Sequence, residues 1–471
     1  MLGRGPVGTP LALALVAAAA GCVRYVPRPI APERTAAALE ARRLSDPGLL
    51  AFLRAQDSVA APPTSWTLPS LTAAALYFNP DLAVARADFA TARAAVGAAG
   101  AWPNPALDVD VAAITSGSTR SPSVLSAMLG IPFLTAGRRG IKVAAAQARA
   151  RARLLGIASA AWTVRSAVRD AALAWWSAGR AAALARRATD GESALVTMLQ
   201  RRLAAGESSA LDVGREEIAL DRARASLRRD RTRRAAARVR LAAAVGVPVE
   251  ALDSVRLDLD AFAGALPAPP SDVDARASAV LARSDIRAAL AAYAAAEAAL
   301  RLEVARQFPN LTLSPGVHWE PELRGLTITP SVVLPLFNRN RGPIAVATAE
   351  RDAAAARFVR LQAGALASVD QALAEYGASL GALASADSAA VAQRALAART
   401  EAMFRAGEVD RVALVSVQVA AVATGQEQLA ARTQAWTALG ALESATQRPL
   451  VGGGWVPAPT ALDTLPEAGT R

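Results

Sequence analysis

Two short regions of the chain alternate residue by residue between apolar and polar side chains, and two much longer regions repeat their apolar positions three and four residues apart. Between Pro105 and Phe133, Leu107, Val109, Val111 and Ala113 fall on one side while Asp108 and Asp110 fall on the other. From Leu311 to Leu334 the pattern returns. Leu311, Leu313, Val317 and Trp319 oppose Thr312, Ser314, Gly316 and His318, and Leu326, Ile328 and Val332 then oppose Thr327, Thr329 and Ser331. Period two marks a strand, because successive side chains leave opposite faces. It predicts antiparallel pairs over 105–115 with 123–133 and over 310–319 with 325–336, turning at Ser116-Gly117-Ser118 and Pro321-Glu322. Strands of about ten residues with one apolar and one polar face meet the needs of a transmembrane β-barrel. Four strands cannot close a barrel, so a spanning role requires several copies of the chain.

The longer regions read as helices. No proline interrupts Gly140 to Gly206, and Gly342 to Gly407 contains only Pro343, at a first-turn position where it is tolerated. At about 1.5 Å per residue each would run roughly 100 Å. Leu154, Ile157, Ala161, Val164, Val168, Ala171 and Trp175 follow heptad spacing, as do Leu366, Val369, Leu373, Tyr376, Leu380 and Leu383. That spacing predicts coiled-coil-like packing, with small alanines letting helices approach closely. After Gly206 and Gly407 the chain turns and returns as a second helix, so each long helix belongs to a hairpin.

These regions are halves of a duplication. The segment from Phe78 ending in Trp102-Pro103-Asn104 is echoed by the one from Arg283 ending in Phe308-Pro309-Asn310. IPFLTAGRRGI from Ile131 is echoed by LPLFNRNRGPI from Leu334, and LAAGE ending at Glu207 by FRAGE ending at Glu408. The repeats are placed at 68–245, with a tip near 206, and 284–448, with a tip near 407. Between them, 246–283 holds a break from Pro248 to Pro270, expected as a girdle around a tunnel. Residues 22–67 read as an extended tether with one short helix near Leu49 to Gln56, and 449–471 as an irregular tail.

The first 21 residues carry the charged, apolar and small-residue regions of an export signal, with an apolar run too short for a permanent membrane helix. Cys22, the single cysteine, follows Gly21 and resembles the acylated cysteine of a bacterial lipoprotein, although Ala19 stands where that motif favours Leu. The resemblance implies lipidation and, with Val23 next, outer-membrane sorting; the plainer reading is an ordinary cleavage site. Composition adds a basic balance, 52 Lys plus Arg against 40 Asp plus Glu, in which Lys142 is the only lysine. The densest run, Arg228 to Arg240, reads as a solvated helix face, and export removes nucleic acid as a partner. No catalytic set is present. His318 has no second His or Cys to complete a metal site, no phosphate loop or nucleophile–His pair is recognisable, and Glu216-Glu217 reads as a solvated helix surface. Neither enzyme chemistry nor a cofactor or bound metal is expected. Asp108 and Asp110 could ring a lumen with negative charge after oligomerisation, or serve as ordinary polar lumen residues.

Helix, two amphipathic strands, long helix, glycine tip and return helix, all duplicated, resembles the TolC-type outer-membrane efflux family from about Trp66 to Gln447. The matching motifs are Asn79-Pro80-Asp81-Leu82, the two aromatic-Pro-Asn strand entries, and Pro335-Leu336-Phe337-Asn338-Arg339-Asn340-Arg341-Gly342. The resemblance implies a mainly α fold with a small β part: a homotrimer whose twelve strands form an outer-membrane barrel continued by a periplasmic α-helical barrel. It further implies a passive exit duct of a tripartite efflux system, in contact with outer-membrane lipid, a periplasmic adaptor and an inner-membrane pump, with resistance-nodulation-division the expected pump type. PLFNRNRG is most similar to the cobalt, zinc and cadmium resistance branch, which suggests heavy-metal cargo; drug efflux and type I secretion are the alternatives.

In that family the hairpin tips meet the adaptor. The resemblance carries this role to Gly206, Leu211, Asp212 and Val213 in the first tip and to Gly407, Val412 and Leu414 in the second. Ala413 and Ser416 replace the acidic gate positions of the best-known member, leaving Asp212 and Asp410 as candidate substitutes. Glycine for positive φ and aspartate as N-cap would explain the same residues by turn chemistry alone. A rival of another class, a pore-free periplasmic coiled-coil lipoprotein, accounts for the heptads and Cys22 but not for the duplicated strand pairs.

Overall fold

A computed structural model describes residues 24–55, 64–112, 124–319 and 324–451. The proposed signal, Cys22, the two strand-pair turns and the tail beyond 451 lie outside these residues. The chain divides into two compact units, Met1–Arg42 and Arg43–Arg471. In the first, helix α1 (Pro32–Glu40) starts with proline at its first position and buries none of its residues.

The second unit opens with α2 (Pro47–Arg54), whose N-cap Asp46 accepts from the amides of Gly48 and Leu49 at 2.7 and 3.1 Å. The stretch expected to be extended with one short helix therefore carries two helices. Pro32 and Pro47 start them instead of breaking them, because proline lacks only an amide that the first turn cannot use. Leu44, Leu49 and Leu53 are fully buried, and Phe52 stacks on Tyr77 at 5.8 Å, so α2 is part of the core and not a loose tether.

Next come α3 (Leu68–Phe78) and α4 (Pro80–Gly100). The Asn79-Pro80-Asp81 motif is the start of α4: Asn79 accepts from the Asp81 amide at 2.9 Å, Pro80 presets the first φ, and Asp81 complements the helix dipole. After strands β1 (Ala106–Ala112) and β2 (Val124–Phe133) comes α5 (Arg138–Ala204), 67 residues long. The turn at Gly206 (φ 76°) leads to α6 (Ala210–Val245). The second half repeats the plan. Helices α7 (Asp272–Leu281) and α8 (Ser284–Ala305) precede β3 (Leu311–Trp319) and β4 (Arg324–Val332), then α9 (Arg341–Ala406) of 66 residues and, after Gly407 (φ 81°), α10 (Arg411–Thr446). Strand β4 stops four residues short of the expected 336, at Val332, which pairs with Leu311, the first residue of its partner β3. No helix of the described residues is long and apolar enough to cross a membrane.

The core lies where α3, α5, α6 and α10 meet the inter-repeat segment. Leu71, Leu76, Ile157, Val168, Leu241, Leu439 and Leu442 are fully buried, each such side chain contributing about 1.5–3 kcal/mol. Two short 3-10 turns, Val249–Leu252 and Asp260–Ala263, carry Phe262 into this core between Trp176 (5.9 Å) and Trp436 (5.3 Å). Trp66 pins the same segment: its amide donates to the Arg256 carbonyl at 2.7 Å and its carbonyl accepts from Asp258 at 2.9 Å.

All four strands form one antiparallel sheet in the order β1-β2-β3-β4. Leu107 opposes Leu129, Val111 opposes Leu125, Leu125 opposes Trp319, Val317 opposes Leu326 and Pro315 opposes Ile328. Directly opposed residues share a face, so among the described residues one face is apolar on all four strands except for Arg324, which opposes Trp319 at the far end of β4. Two rows of the other run Asp110, Ser126, His318, Gly325 and Asp108, Met128, Gly316, Thr327. Gly316 has a packing reason: a Cβ there would lie 2.5 Å from the Met128 Cγ that crosses it.

Candidate functional site

Asp108 and Asp110 lie on the polar face of β1, exposed, at the sheet edge. The register brings Asp110 into one row with Ser126 and His318, a grouping that only strand pairing reveals. Among the described residues, strands β1 and β4 each leave one edge unpaired within the protomer.

At the first tip, Gly206 takes the left-handed conformation and the Glu207 amide reaches back to the Arg202 carbonyl at 2.8 Å. Ser209 and Asp212 then form a reciprocal capping box, with the Asp212 amide donating to Ser209 Oγ at 3.1 Å and the Ser209 hydroxyl 2.6 Å from Asp212 Oδ2. Hydrogen bonds from the Ser209 side chain and amide, together with the charge of Arg215, hold the Asp212 carboxyl below its ordinary range. Leu211 is exposed, whereas Val213 is buried against its own protomer.

The second tip repeats the backbone and changes the electrostatics. The Glu408 amide donates to the Met403 carbonyl at 2.9 Å, and Asp410 accepts from the Ala413 amide at 2.7 Å as N-cap of α10. Its other oxygen accepts from Arg202 Nη2 at 2.5 Å, which ties the end of α5 to the start of α10. The backbone amide first, and Arg202 next, lower the Asp410 carboxyl's pKa. Val412 is half-buried and Leu414 buried. Of the two candidate gate acids, then, Asp410 joins two hairpins and Asp212 serves only its own helix.

Three features escaped sequence reasoning. Of Glu216 and Glu217, expected as a solvated pair, Glu217 is exposed and accepts from Gln200 at 2.9 Å, whereas Glu216 is half-buried and meets Glu192 of α5. Burial, the carboxyl–carboxyl hydrogen bond and repulsion by Glu216 push Glu192 up to about 7. The arginine run on α6 is exposed as expected, with Arg238 half-buried, but Arg229, Arg233 and Arg240 border an open groove of about 1010 Å³ between α5, α6 and α10, and Asp230 within the run is buried and pairs with Arg233 at 3.3 Å. Far from the tips, Glu443 of α10 is buried between Arg165 (3.0 Å) and Arg169 (2.9 Å) of α5, and its free oxygen accepts from the Leu450 amide at 2.7 Å. Burial alone would raise the Glu443 carboxyl; the two guanidiniums and the amide outweigh it and hold it low. No sequence signal distinguishes Glu443, since its partners lie 274 and 278 residues away.

A duplicated helix–strand–strand–helix unit with a one-sided apolar sheet and long paired hairpins defines a channel-type protein. The chain matches the family described as Outer membrane efflux protein over residues 71–247 and 276–447, one match per repeat, and it belongs to that family. Its fold is similar to that of the outer-membrane channel OprN (TM-score 0.67, 22% identity, covering 93% of this chain and 99% of that one). It is also similar to CusC (0.64, 18%, 90% and 98%), whose structures concern folding and transmembrane channel formation, and to VceC of Vibrio cholerae (0.65, 18%, 80% and 95%). A search of curated proteins finds no match. The family and its structural neighbours are channel proteins, not enzymes.

Proposed function

We propose that this chain forms a homotrimeric outer-membrane exit duct that passively conducts cargo delivered by an inner-membrane pump through a periplasmic adaptor. The observation that carries the reading is the division of the sheet: one face apolar across four strands, the other polar, and both edges open for pairing with neighbouring copies. The inter-repeat segment then girdles the helical barrel, Cys22 anchors the chain by its acyl groups, and the two tips receive the adaptor. Leu211 and the Asp410–Arg202 pair are the accessible groups there. Asp108 and Asp110 face the lumen.

The cargo we infer is divalent heavy-metal cations. What supports this is the resemblance of the PLFNRNRG turn to metal-resistance relatives; the two asparagines of that turn also have a local task. Asn340 adopts φ 59° with its amide bonded to Asn338, and its side chain donates to the Glu303 carbonyl at 2.7 Å. Two experiments test the proposal. Purified protein should migrate as a heat-labile trimer in detergent and conduct ions in planar bilayers, and a soluble monomer without conductance would leave the pore-free scaffold. A strain lacking the gene should be sensitised to zinc, cobalt and cadmium; sensitisation to lipophilic drugs alone would remove the metal assignment and keep the duct.

A further inference from the structure

Strand register gathers Ala106, Phe133, Leu311 and Val332 at one end of the sheet, where α4 and α8 finish and α5 and α9 begin. Within 96–105, 134–145, 301–310 and 333–346 the chain carries six arginines and its only lysine, Lys142, against a single acid, Glu303. Part of that charge is structural. Arg138 is buried and donates to the Ala305 carbonyl (3.1 Å) and Asn310 (2.8 Å), Arg306 pairs with Glu303 (2.5 Å), and Arg301 pairs with Glu297 (2.5 Å). The rest is not neutralised. Arg139 lies over the exposed Trp102 ring at 5.0 Å and donates to the Gly100 carbonyl at 2.7 Å; Arg339, Arg341 and Lys142 make no hydrogen bond or ion pair among the described residues.

Helix stability argues against this charge. An acid in the first turn suits the dipole, and α4, α6, α7 and α8 each have one, but α5 and α9 have none and start on arginines. Arg138 feels the crowding: burial first, and Arg306 second, lower its pKa. Near the cations along the chain stand exposed Phe308, Leu336 and Phe337, just before β3 begins and just after β4 ends.

We infer that this collar binds the anionic phosphodiester headgroups of phospholipids in the leaflet facing the periplasm. The inference rests on the duct reading, which puts the apolar face in hydrocarbon and so brings the collar to headgroup depth. Aromatic rings favour that interface, and unpaired arginine and lysine near it attract anionic lipid. Arg339 and Arg341 are the principal contacts, and Trp102 holds Arg139 at the same level.

The test uses the full-length trimer, stripped in detergent and offered phosphatidylglycerol and phosphatidylcholine in competition, with retained lipid read by mass spectrometry. Wild type should retain phosphatidylglycerol with a several-fold preference that collapses in high salt. The combined variant Arg139→Gln, Lys142→Gln, Arg339→Gln and Arg341→Gln should lose the preference and still conduct. A charge-matched control, Arg228→Gln, Arg231→Gln, Arg357→Gln and Arg360→Gln, should keep it. No preference in wild type, a preference indifferent to salt, or equal loss in both variants overturns the collar while conductance upholds the duct. Wild type that neither trimerises nor conducts overturns the duct reading and the collar with it. If the combined variant does not fold, Arg339→Gln and Arg341→Gln alone should each reduce the preference, and no reduction in either overturns the inference.

Discussion

Helices α5 and α10 are tied together twice, near their roots by Arg165, Arg169 and Glu443 and near the tips by Arg202 and Asp410. The root side chains are 10%, 8% and 4% exposed, whereas Arg202 and Asp410 are 36% and 47% exposed. The chemistry is the same and the dielectric is not. A buried carboxylate cannot lose its partners without stranding charge in the interior, while an exposed pair exchanges easily with water and is screened by salt. The two ties therefore differ in kind, a buried root pair and an exposed, salt-sensitive tip pair.

The strongest way to break that contrast is Glu443→Ala, which strands the buried Arg165 and leaves buried Arg169 only the exposed Asp170 at 3.0 Å, and should cost about 3–5 kcal/mol in guanidinium chloride unfolding followed by circular dichroism. A loss below that of an ordinary surface substitution would show the root to be no firmer than the tip. Gly440→Ala should cost about 1–3 kcal/mol. Its Cβ would overlap the Arg169 guanidinium, which cannot withdraw without leaving Glu443. The cost should shrink in an Arg169→Met background.

At the tip, a double-mutant cycle of Arg202→Ala with Asp410→Asn should give a coupling of about 0.2–1 kcal/mol, vanishing in high salt. Higher single-channel conductance in Arg202→Ala would assign the pair to closure, and unchanged conductance would confine it to stability. The smallest effect concerns pH. Glu192 is raised above its unfolded value, so its contribution is full in acid and lost as pH rises through about 7, when Glu192 takes on charge beside the Glu216 carboxylate. Amide protection factors in the first hairpin, with the intrinsic pH dependence of exchange divided out, should fall across that range, and Glu192→Gln should flatten the response. Glu443 runs the other way: its pKa is depressed, so its contribution is present above the unfolded value and lost in acid.

Much of the fold could be read before any coordinate. Alternation at Leu107 to Val111 and at Leu311 to Trp319 requires strands because a pleated chain has period two, and the proline-free heptads require helices because nothing in them offers an end. Gly206 and Gly407 mark the tips because a left-handed residue there costs glycine nothing. The duplication itself follows from echoed motifs in the same order.

The amino-acid sequence by itself thus determined the elements, their repetition and the two-faced character of the strands, all consequences of local geometry and side-chain polarity. Only the tertiary structure decided which side chains meet across long separations. It placed Glu443 between Arg165 and Arg169, turned Asp410 to Arg202 while Asp212 stayed with Ser209, seated α2 in the core, and gathered the unpaired cations at one end of the sheet. Those outcomes depend on helix rotation and strand register, which are fixed by the packing of the whole unit and leave no periodic trace in the chain.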